Sequence, residues 1–585
     1  MIVINLSMNK YTQLLVLFLL GILIYSNTID NQFVFDDIPH IQNNSTLKDL
    51  SSLYGGARWF GMYTFKINYY FHELNVKGYH IINIIIHILN SFLVLWMINL
   101  VLKTQNKIKA LDNSKSYFAF LVALFFIAHP IQTQAVTYII QRLASLACMF
   151  YLLVLILYLK ARETDNYSKY FYSVLLVPFL IAGIFTKETM YTIPLIIFIT
   201  EIIFFQNVMN LKNTIVRYWS LVSVMLLILI SSFVTFYNLE GIFSEKFSLK
   251  LGVMISQYEY LITQFQVIFL YLRLLVIPVN QMLDYIYPIS YSIINWKSIV
   301  SLMGLVLIGY ITKYFYKKGY KLEVFGILWF FITISIESSI IPLADIVFEH
   351  RLYLPSIGYC ILLASLMNKI QNRYGNIFSA IVILIIITTY SIGSYNRNLS
   401  WDTAISIWTD NIIKSPSNPV PYWSRAKEYF KIGKYGKAID DYTSAIDLNS
   451  NLVTIIGERG LAYEKQNMFN HAISDYSKMA DLNKNDSGKW YRKIGVIHTR
   501  NGDYNKALVY WNKSIFSEPC YYKFYISRGI TYQHLGNFKK ALEDFKKAIF
   551  LNDDSKEEIF NYAGVKIAKN DLSLFYEELH FCKSN

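Results

Sequence analysis

From Lys10 to Tyr395 the chain is built mostly of long apolar runs, and after Asn396 such runs stop. About 20 apolar residues cross a bilayer, so a chain of this kind folds as a set of membrane helices followed by something different. Spans are expected near 11–29, 79–102, 117–133, 137–160, 170–187, 189–206, 216–237, 295–316, 322–341, 352–369 and 376–395. The first run lacks a small-residue cleavage site and is expected to be a retained helix. The composition agrees: 54% of residues are apolar, 16% are charged and the mean hydropathy is +0.33.

Loop charge orients the spans. Lys103, Lys107, Lys109 and Lys115 follow the second, and Lys160, Arg162 and Lys169 the fourth. Lys212 and Arg217 follow the sixth, Lys313, Lys317, Lys318 and Lys321 the eighth, and Lys369 and Arg373 the tenth. Cytoplasmic loops collect such cations. The pattern closes with eleven spans, so a further apolar stretch, Tyr260–Ile277, is expected to be re-entrant or to lie at the interface. The N-terminus is then cytoplasmic. Asp36, Asp37 and everything after Tyr395 face the other side, lumen or periplasm. The net charge is +14; much of the Lys and Arg of the first part lies in these loops, and the second part is also Lys-rich but shows no nucleic-acid motif, so no nucleic-acid partner is expected. Cys148, Cys360, Cys520 and Cys582 have no metal or redox spacing.

From Trp401 one pattern recurs: KAIDDYTSAIDLN, HAISDYSKMADLN, KALVYWNKSIFSEP, KALEDFKKAIFLN. Its anchor alanines, Ala438, Ala472, Ala507 and Ala541, are spaced 34, 35 and 34. Twelve residues before each stands Ala426, Gly460, Gly495 or Gly529, and four after each stands Tyr442, Tyr476, Trp511 or Phe545. This is the tetratricopeptide period. Repeats are expected near 400–418 (partial, on Ala404, Trp408 and Pro416), 419–452, 453–486, 487–520 and 521–554, with a cap at 555–585. The domains are thus 1–396 and 397–585, and the fold class is all-α: a polytopic membrane domain followed by an α-solenoid. Small residues would let the helices of a repeat approach closely, with the aromatics filling the gap to the next repeat.

Polar residues interrupt the apolar runs. His80, Asn83, His87 and Asn90 fall on one helix face, where interhelical hydrogen bonding is the simpler reading. AHPIQTQAVTYIIQR carries His129, Gln132, Gln134, Gln141 and Arg142, with Pro130 breaking the helix. TKET supplies Lys187 and Glu188, expected as a mutual ion pair. QMLDYIYPIS brings Asp284, Tyr285 and Tyr287, and ADIVFEHRLYLP brings Asp345, Glu349, His350, Arg351 and Tyr353. These segments fall on one expected leaflet, where gathered cations suit a lipid-borne phosphate. FVFDDIPHIQNN adds the adjacent carboxylates Asp36 and Asp37. Sugar transfer from a lipid phosphate needs a carboxylate to take the acceptor proton and cations for the leaving phosphate. On the residues alone a solvated turn or helix cap is the simpler reading of this pair.

The ordered set FVFDDIPHI, TFKINYYF, GYHIINIIIHILN, HPIQTQAVTYIIQR, FTKET, YLRLLVIPVNQMLDYIYP and IPLADIVFEHRLYLPSIGY, closed by the repeats, resembles the transmembrane and tetratricopeptide repeat-containing O-mannosyltransferases and their bacterial relatives, of the glycosyltransferase C superfamily. The resemblance runs along essentially the whole chain. One departure is RWFGMYTFKINY, where Trp59 stands at a position at which that family often has Pro. The resemblance implies Asp36 as general base and Asp37 as its neighbour, orienting acceptor or metal. It implies His350 and Arg351 as donor-phosphate ligands, with Glu349, Arg142 and Arg273 as further candidates. It implies a polyprenyl-phosphate sugar, often mannose, as donor, Ser or Thr hydroxyls of a polypeptide as acceptor, and inversion at the anomeric carbon. The expected function is an integral membrane glycosyltransferase, its repeats presenting the acceptor on the non-cytoplasmic side. The alternatives are a same-fold transferase acting on a glycan or lipid, and a non-catalytic membrane-anchored scaffold. No cofactor is fixed by the residues, and a divalent metal is left open. The richness in Ile, Lys, Asn and Tyr leans towards an AT-rich genome and a bacterial inner membrane, with the endoplasmic reticulum as the other host membrane.

Overall fold

The computed structural model of the chain describes residues 8–49, 55–104, 112–164, 167–205, 230, 247–248, 254–552 and 554. The span expected at 216–237 (Ile230 apart), the cap at 555–585, and Lys107, Lys109, Lys212, Arg217 and Cys582 lie outside the described residues. The fold is all-α; among the described residues the strand pairing is a two-residue antiparallel ladder, Phe247–Ser248 with Met254–Ile255. Contacts divide the chain into two compact units, Met1–Lys414 and Ser415–Asn585.

The first unit is built on α1 (Lys10–Tyr25), α2 (Trp59–His72), α3 (Val76–Thr104), α4 (Asp112–Ala128), α5 (Arg142–Glu163), α6 (Ser168–Ile184), α7 (Ile193–Thr200), α8 (Gln257–Val276), α9 (Trp296–Lys317), α10 (Lys321–Ile334), α11 (Ser356–Tyr374), α12 (Asn376–Leu399) and α13 (Ala404–Lys414). Seven helices among the described residues are long and apolar enough to cross a membrane, or eight if the pair Ser116–Ala128 and Pro130–Val136, bent by 52°, is one span. That bend falls at Pro130, whose ring cannot continue the helix. The expected count of eleven is not reached by this measure. The span expected at 216–237 (Ile230 apart) lies outside the described residues and is not counted; the other reasons are local: α6 is 17 residues long and carries Pro178, and α10 stops after 14 residues, shortly before the polar run Glu337-Ser338-Ser339. Conversely α8, on the stretch expected not to cross, is a 20-residue helix apolar enough to do so. It also touches connecting segments along its length: Tyr260 bonds the Glu337 carbonyl, Gln264 the Ile346 carbonyl and Tyr271 the Phe348 N–H, while the Leu275 carbonyl bonds His129.

Two features hold the first unit together. One is the polar stripe of α3, whose residues are 0–1% exposed. His80 meets the Asn31 carbonyl at 2.9 Å, Asn83 donates to the Val136 carbonyl, His87 meets the Tyr353 hydroxyl at 2.7 Å, and Asn90 donates to the Ser145 carbonyl. Away from water each such bond is both a cost avoided and a register mark. The other is the contact of α10 with α11 at Gly326 and Gly358. A Cβ on Gly358 would stand 2.3 Å from the Gly326 carbonyl oxygen, so only glycine permits this backbone approach. The lipid-type exterior is plainest on α9, where Met303, Val306, Leu307 and Tyr310 are each more than half exposed.

The second unit pairs α14 (Pro419–Lys431) with α15 (Tyr435–Leu448), α16 (Val453–Lys465) with α17 (Phe469–Leu482), α18 (Ser487–Arg500) with α19 (Tyr504–Ser517), and α20 (Tyr522–His534) with α21 (Phe538–Leu551). The anchor alanines are buried. The aromatics do more than fill the gap to the next repeat. Each closes first on the small residue of its own repeat: a Cβ on Gly460 would lie 2.7 Å from Tyr476, and one on Gly529 2.6 Å from Phe545. Tyr476 then stacks on Trp490 of the next repeat at 5.8 Å.

Candidate active site

The first loop leaves α1 and turns sharply at Phe35, whose φ is +48°. Left-handed backbone at a bulky residue is costly and persists only where the surroundings enforce it. Here they do. The Asp37 carboxylate is fully buried and accepts the Val34 N–H at 3.1 Å and the Ile140 N–H at 2.7 Å. Phe35 packs edge-on against Trp408 of α13. The Asp36 N–H donates to the Tyr138 hydroxyl at 2.9 Å, and Tyr138 stacks on Trp401. Two adjacent acids therefore have different surroundings: Asp37 turns inward as a staple, and Asp36 is half-buried at the loop surface. Burial pushes the Asp37 carboxyl up to about 8, against its backbone hydrogen bonds, and the charge of Asp36 adds to the rise.

The segment after α10 holds Glu349, His350 and Arg351 in one buried turn. Glu349 accepts the Met282 N–H at 2.6 Å, the Tyr285 hydroxyl at 2.5 Å and Gln281 Nε2 at 3.2 Å. It thereby fixes the 281–285 loop. Burial raises its carboxyl, partly countered by the charges of Arg397 and Lys414. The His350 N–H donates to Gln134 at 2.6 Å, and its ring lies on Phe348. Burial, with the charges of Lys187, Arg351 and Arg58, holds that ring well below the ordinary histidine range. Among the described residues, Nδ1 of His350 is buried without a hydrogen-bond partner. Arg351 donates to the Asp345 and Ile346 carbonyls at 2.7 and 3.1 Å. Burial opposes its charge, but Tyr271, Tyr260 and Glu337 outweigh that and hold it protonated.

Lys187 and Glu188 are not a mutual ion pair. Lys187 pairs with Glu337 at 2.7 Å, and Glu188 takes Arg58 in a two-bonded fork at 2.9 and 3.0 Å. Adjacent side chains on extended backbone, as at Lys187, point to opposite sides. Arg142 lies deeper and is fully buried. Its Nε donates to Asn83 at 2.6 Å, and its Nη2 to Asn68 at 2.7 Å and to the Tyr79 carbonyl at 3.1 Å. Its guanidinium carbon sits 4.3 Å from the Phe65 ring centre. Every nitrogen is engaged by neutral protein groups, so in this geometry Arg142 clamps α2, α3 and α5 together. Arg273 is half-buried at the last turn of α8, donates to the Val279 carbonyl at 3.1 Å and lines a groove of about 400 Å³ with Tyr287 and Lys297.

The fold thus brings the first loop, Tyr138–Leu143, Leu283, Phe348 and Trp401–Trp408 into one apolar cluster. The 349–351 turn joins the neighbouring layer through Gln134 and Gln281. Tyr138, Gln134, Gln281 and Tyr285 were not singled out as site residues by sequence; their one signal is that they stand inside the polar stretches. Among the described residues no group of three or more His, Cys, Asp or Glu converges as a metal site.

Family models for the tetratricopeptide repeat match residues 426–467 and 522–555. A protein O-mannosyl-transferase of Caenorhabditis elegans is 28% identical over 74% of this chain and 62% of its own length. One of Drosophila melanogaster is 24% identical over 74% of this chain and 54% of its own. The Homo sapiens protein O-mannosyl-transferase TMTC3 is 23% identical over 93% of this chain and 64% of its own. The chain therefore spans less than two thirds of the length of these relatives. Among solved structures, that of MamA matches at 23% identity and TM-score 0.25, covering 26% of this chain and 90% of that one. The chain carries tetratricopeptide repeats and is similar, along most of its length, to proteins named protein O-mannosyl-transferase.

Proposed function

We propose that the chain is an integral membrane glycosyltransferase that moves a sugar, mannose in the first instance, from a polyprenyl phosphate to Ser or Thr hydroxyls of a polypeptide. The observation that carries this reading is Asp36. It is the half-buried carboxylate of a loop that Asp37, Tyr138 and Phe35 lock in an otherwise unfavourable conformation, in a chain similar to O-mannosyl-transferases. Asp36 takes the proton of the acceptor hydroxyl while that oxygen attacks the anomeric carbon. The bond from that carbon to the phosphate oxygen breaks, and the configuration inverts. The phosphate leaves towards His350 and Arg351, within a neighbourhood whose cations include Lys187 and Arg58. Glu349 and Arg142 act as positioning residues, the first on the 281–285 loop and the second beneath the Asp loop. Arg273 is the weakest phosphate candidate, being set in a separate groove.

Domains 1–396 and 397–585 divide the work, the first holding the donor and the second the acceptor. We place both the Asp loop and the repeats on the non-cytoplasmic side. On the same reading α8 lies along the outer ends of the other helices, as its contacts with His129 and residues 337–348 favour. The test is transfer of labelled mannose from polyprenyl-phosphate mannose to a Ser/Thr-rich peptide by membranes containing the wild type or Asp36→Asn. Label with the wild type alone is the expected result. Equal label with both removes Asp36 as base, and none with either removes mannose transfer.

A further inference from the structure

The two halves of the described repeat array differ in charge. Residues 415–486 carry nine Lys and Arg against nine Asp and Glu, whereas residues 487–552 carry twelve against four. The change coincides with a break in an internal pattern. Arg425, Arg459 and Arg528 each grip an aspartate sixteen residues on, Asp441, Asp475 and Asp544, through two bonds of 2.7–2.9 Å. In the third repeat the equivalent positions hold Ile494 and Tyr510. The carboxylate is gone. Lys513, one turn further along α19, lies 5.4 Å from the Tyr491 ring centre and 5.2 Å from that of Tyr510. It has no carboxylate partner among the described residues.

At this place a groove of about 840 Å³ opens, lined by Lys484, Tyr491, Asn512, Lys513 and Phe516, with Asp481 at its side. Phe516 is 92% exposed. The volume falls in the range of built ligand sites, of roughly 300–1,000 Å³, and the lining alternates cation, aromatic and amide.

We propose that the groove between the second and third repeats docks an acidic segment of polypeptide. Its Asp or Glu side chains meet Lys484 and Lys513, an apolar side chain covers Phe516, and Asn512 bonds the peptide backbone. Charge complementarity selects this occupant: a segment of like charge is repelled by the excess on residues 487–552, and a neutral one leaves both lysines unanswered. That the segment belongs to the transfer acceptor rests on the function proposed above; the docking itself does not.

The test uses the full chain in nanodiscs of zwitterionic lipid and two fluorescein-labelled peptides. One is rich in Asp, Glu and Leu, with a Ser/Thr stretch; the other has Asn and Gln in place of the acids. The acidic peptide is expected to bind about tenfold tighter or more, and more weakly as salt rises. Lys484→Glu with Lys513→Glu removes that preference, while Lys465→Glu with Lys478→Glu in the second repeat leaves it. Equal binding of the two peptides, or an unchanged preference in the first double variant, overturns the proposal. So does a photo-crosslinker at position 516 that labels lipid and not the acidic peptide, which would make the basic face a membrane contact. Transfer to a Ser/Thr peptide lacking acids reads the catalytic function separately. Acidic-peptide binding without any transfer breaks the function alone, and transfer without acidic preference breaks the docking alone.

Discussion

Arg142 of the first unit and the arginines of the repeats are held in opposite ways. In the repeats Arg425, Arg459 and Arg528 each meet one aspartate sixteen residues away in a bidentate fork. In the first unit Arg142 meets no carboxylate; amide and carbonyl oxygens up to 78 residues away receive its donors. A local pair recurs with the period and is replaceable repeat by repeat. A distributed network belongs to one place in one fold, and each of its acceptors would be stranded if the cation were lost. Stability in the repeats is a sum over near-identical modules, whereas the first unit depends on single positions.

The largest effect that separates the two regions is on activity. Asp36→Asn should lower transfer by about a hundredfold to ten-thousandfold, the usual contribution of a general base, with an unchanged melting curve. No charge change in the repeats should approach it. Next is Arg142→Ala, which strands Asn83, Asn68 and the Tyr79 carbonyl in a dry interior and should cost about 4 kcal/mol by denaturant or thermal melting. Arg459→Ala strands Asp475 and takes one bond from Thr443, and should cost about 2 kcal/mol. Equal losses from these two substitutions would erase the distinction between network and fork. A further effect is a pH dependence. The carboxyl of Asp37 is raised by burial to about 8 in the fold, so its stabilising contribution is complete at acid pH and declines as pH rises towards and through 8. The wild type should therefore melt earlier at pH 9 than at pH 6, and Asp37→Asn should flatten that slope. An identical slope in the variant would assign the dependence to another group.

What could be read from sequence follows the same division. The repeats announce themselves because their contacts recur within 34 or 35 residues, and the polar face of α3 is visible because helix geometry alone aligns His80, Asn83, His87 and Asn90. The break at Pro130 is legible from one residue's chemistry. The burial of Asp37 and the half-buried setting of Asp36 are not, since they depend on Ile140 and Tyr138, about 100 residues away. The partners of Lys187 and Glu188 are farther still, at Glu337 and Arg58, and no local pattern points to them. Trp408 looks from its spacing like part of a first repeat, yet its ring meets Phe35 in the first unit. Periodicity describes what a residue is, and long-range packing decides what it is near.

Gly326 and Gly358 bring α10 and α11 into backbone contact, and the segment between these helices carries Glu349, His350 and Arg351. A joint made of two backbones has no side chain to compress. A movement of either helix is therefore handed to the other and to the connecting segment undamped, as by a stiff lever.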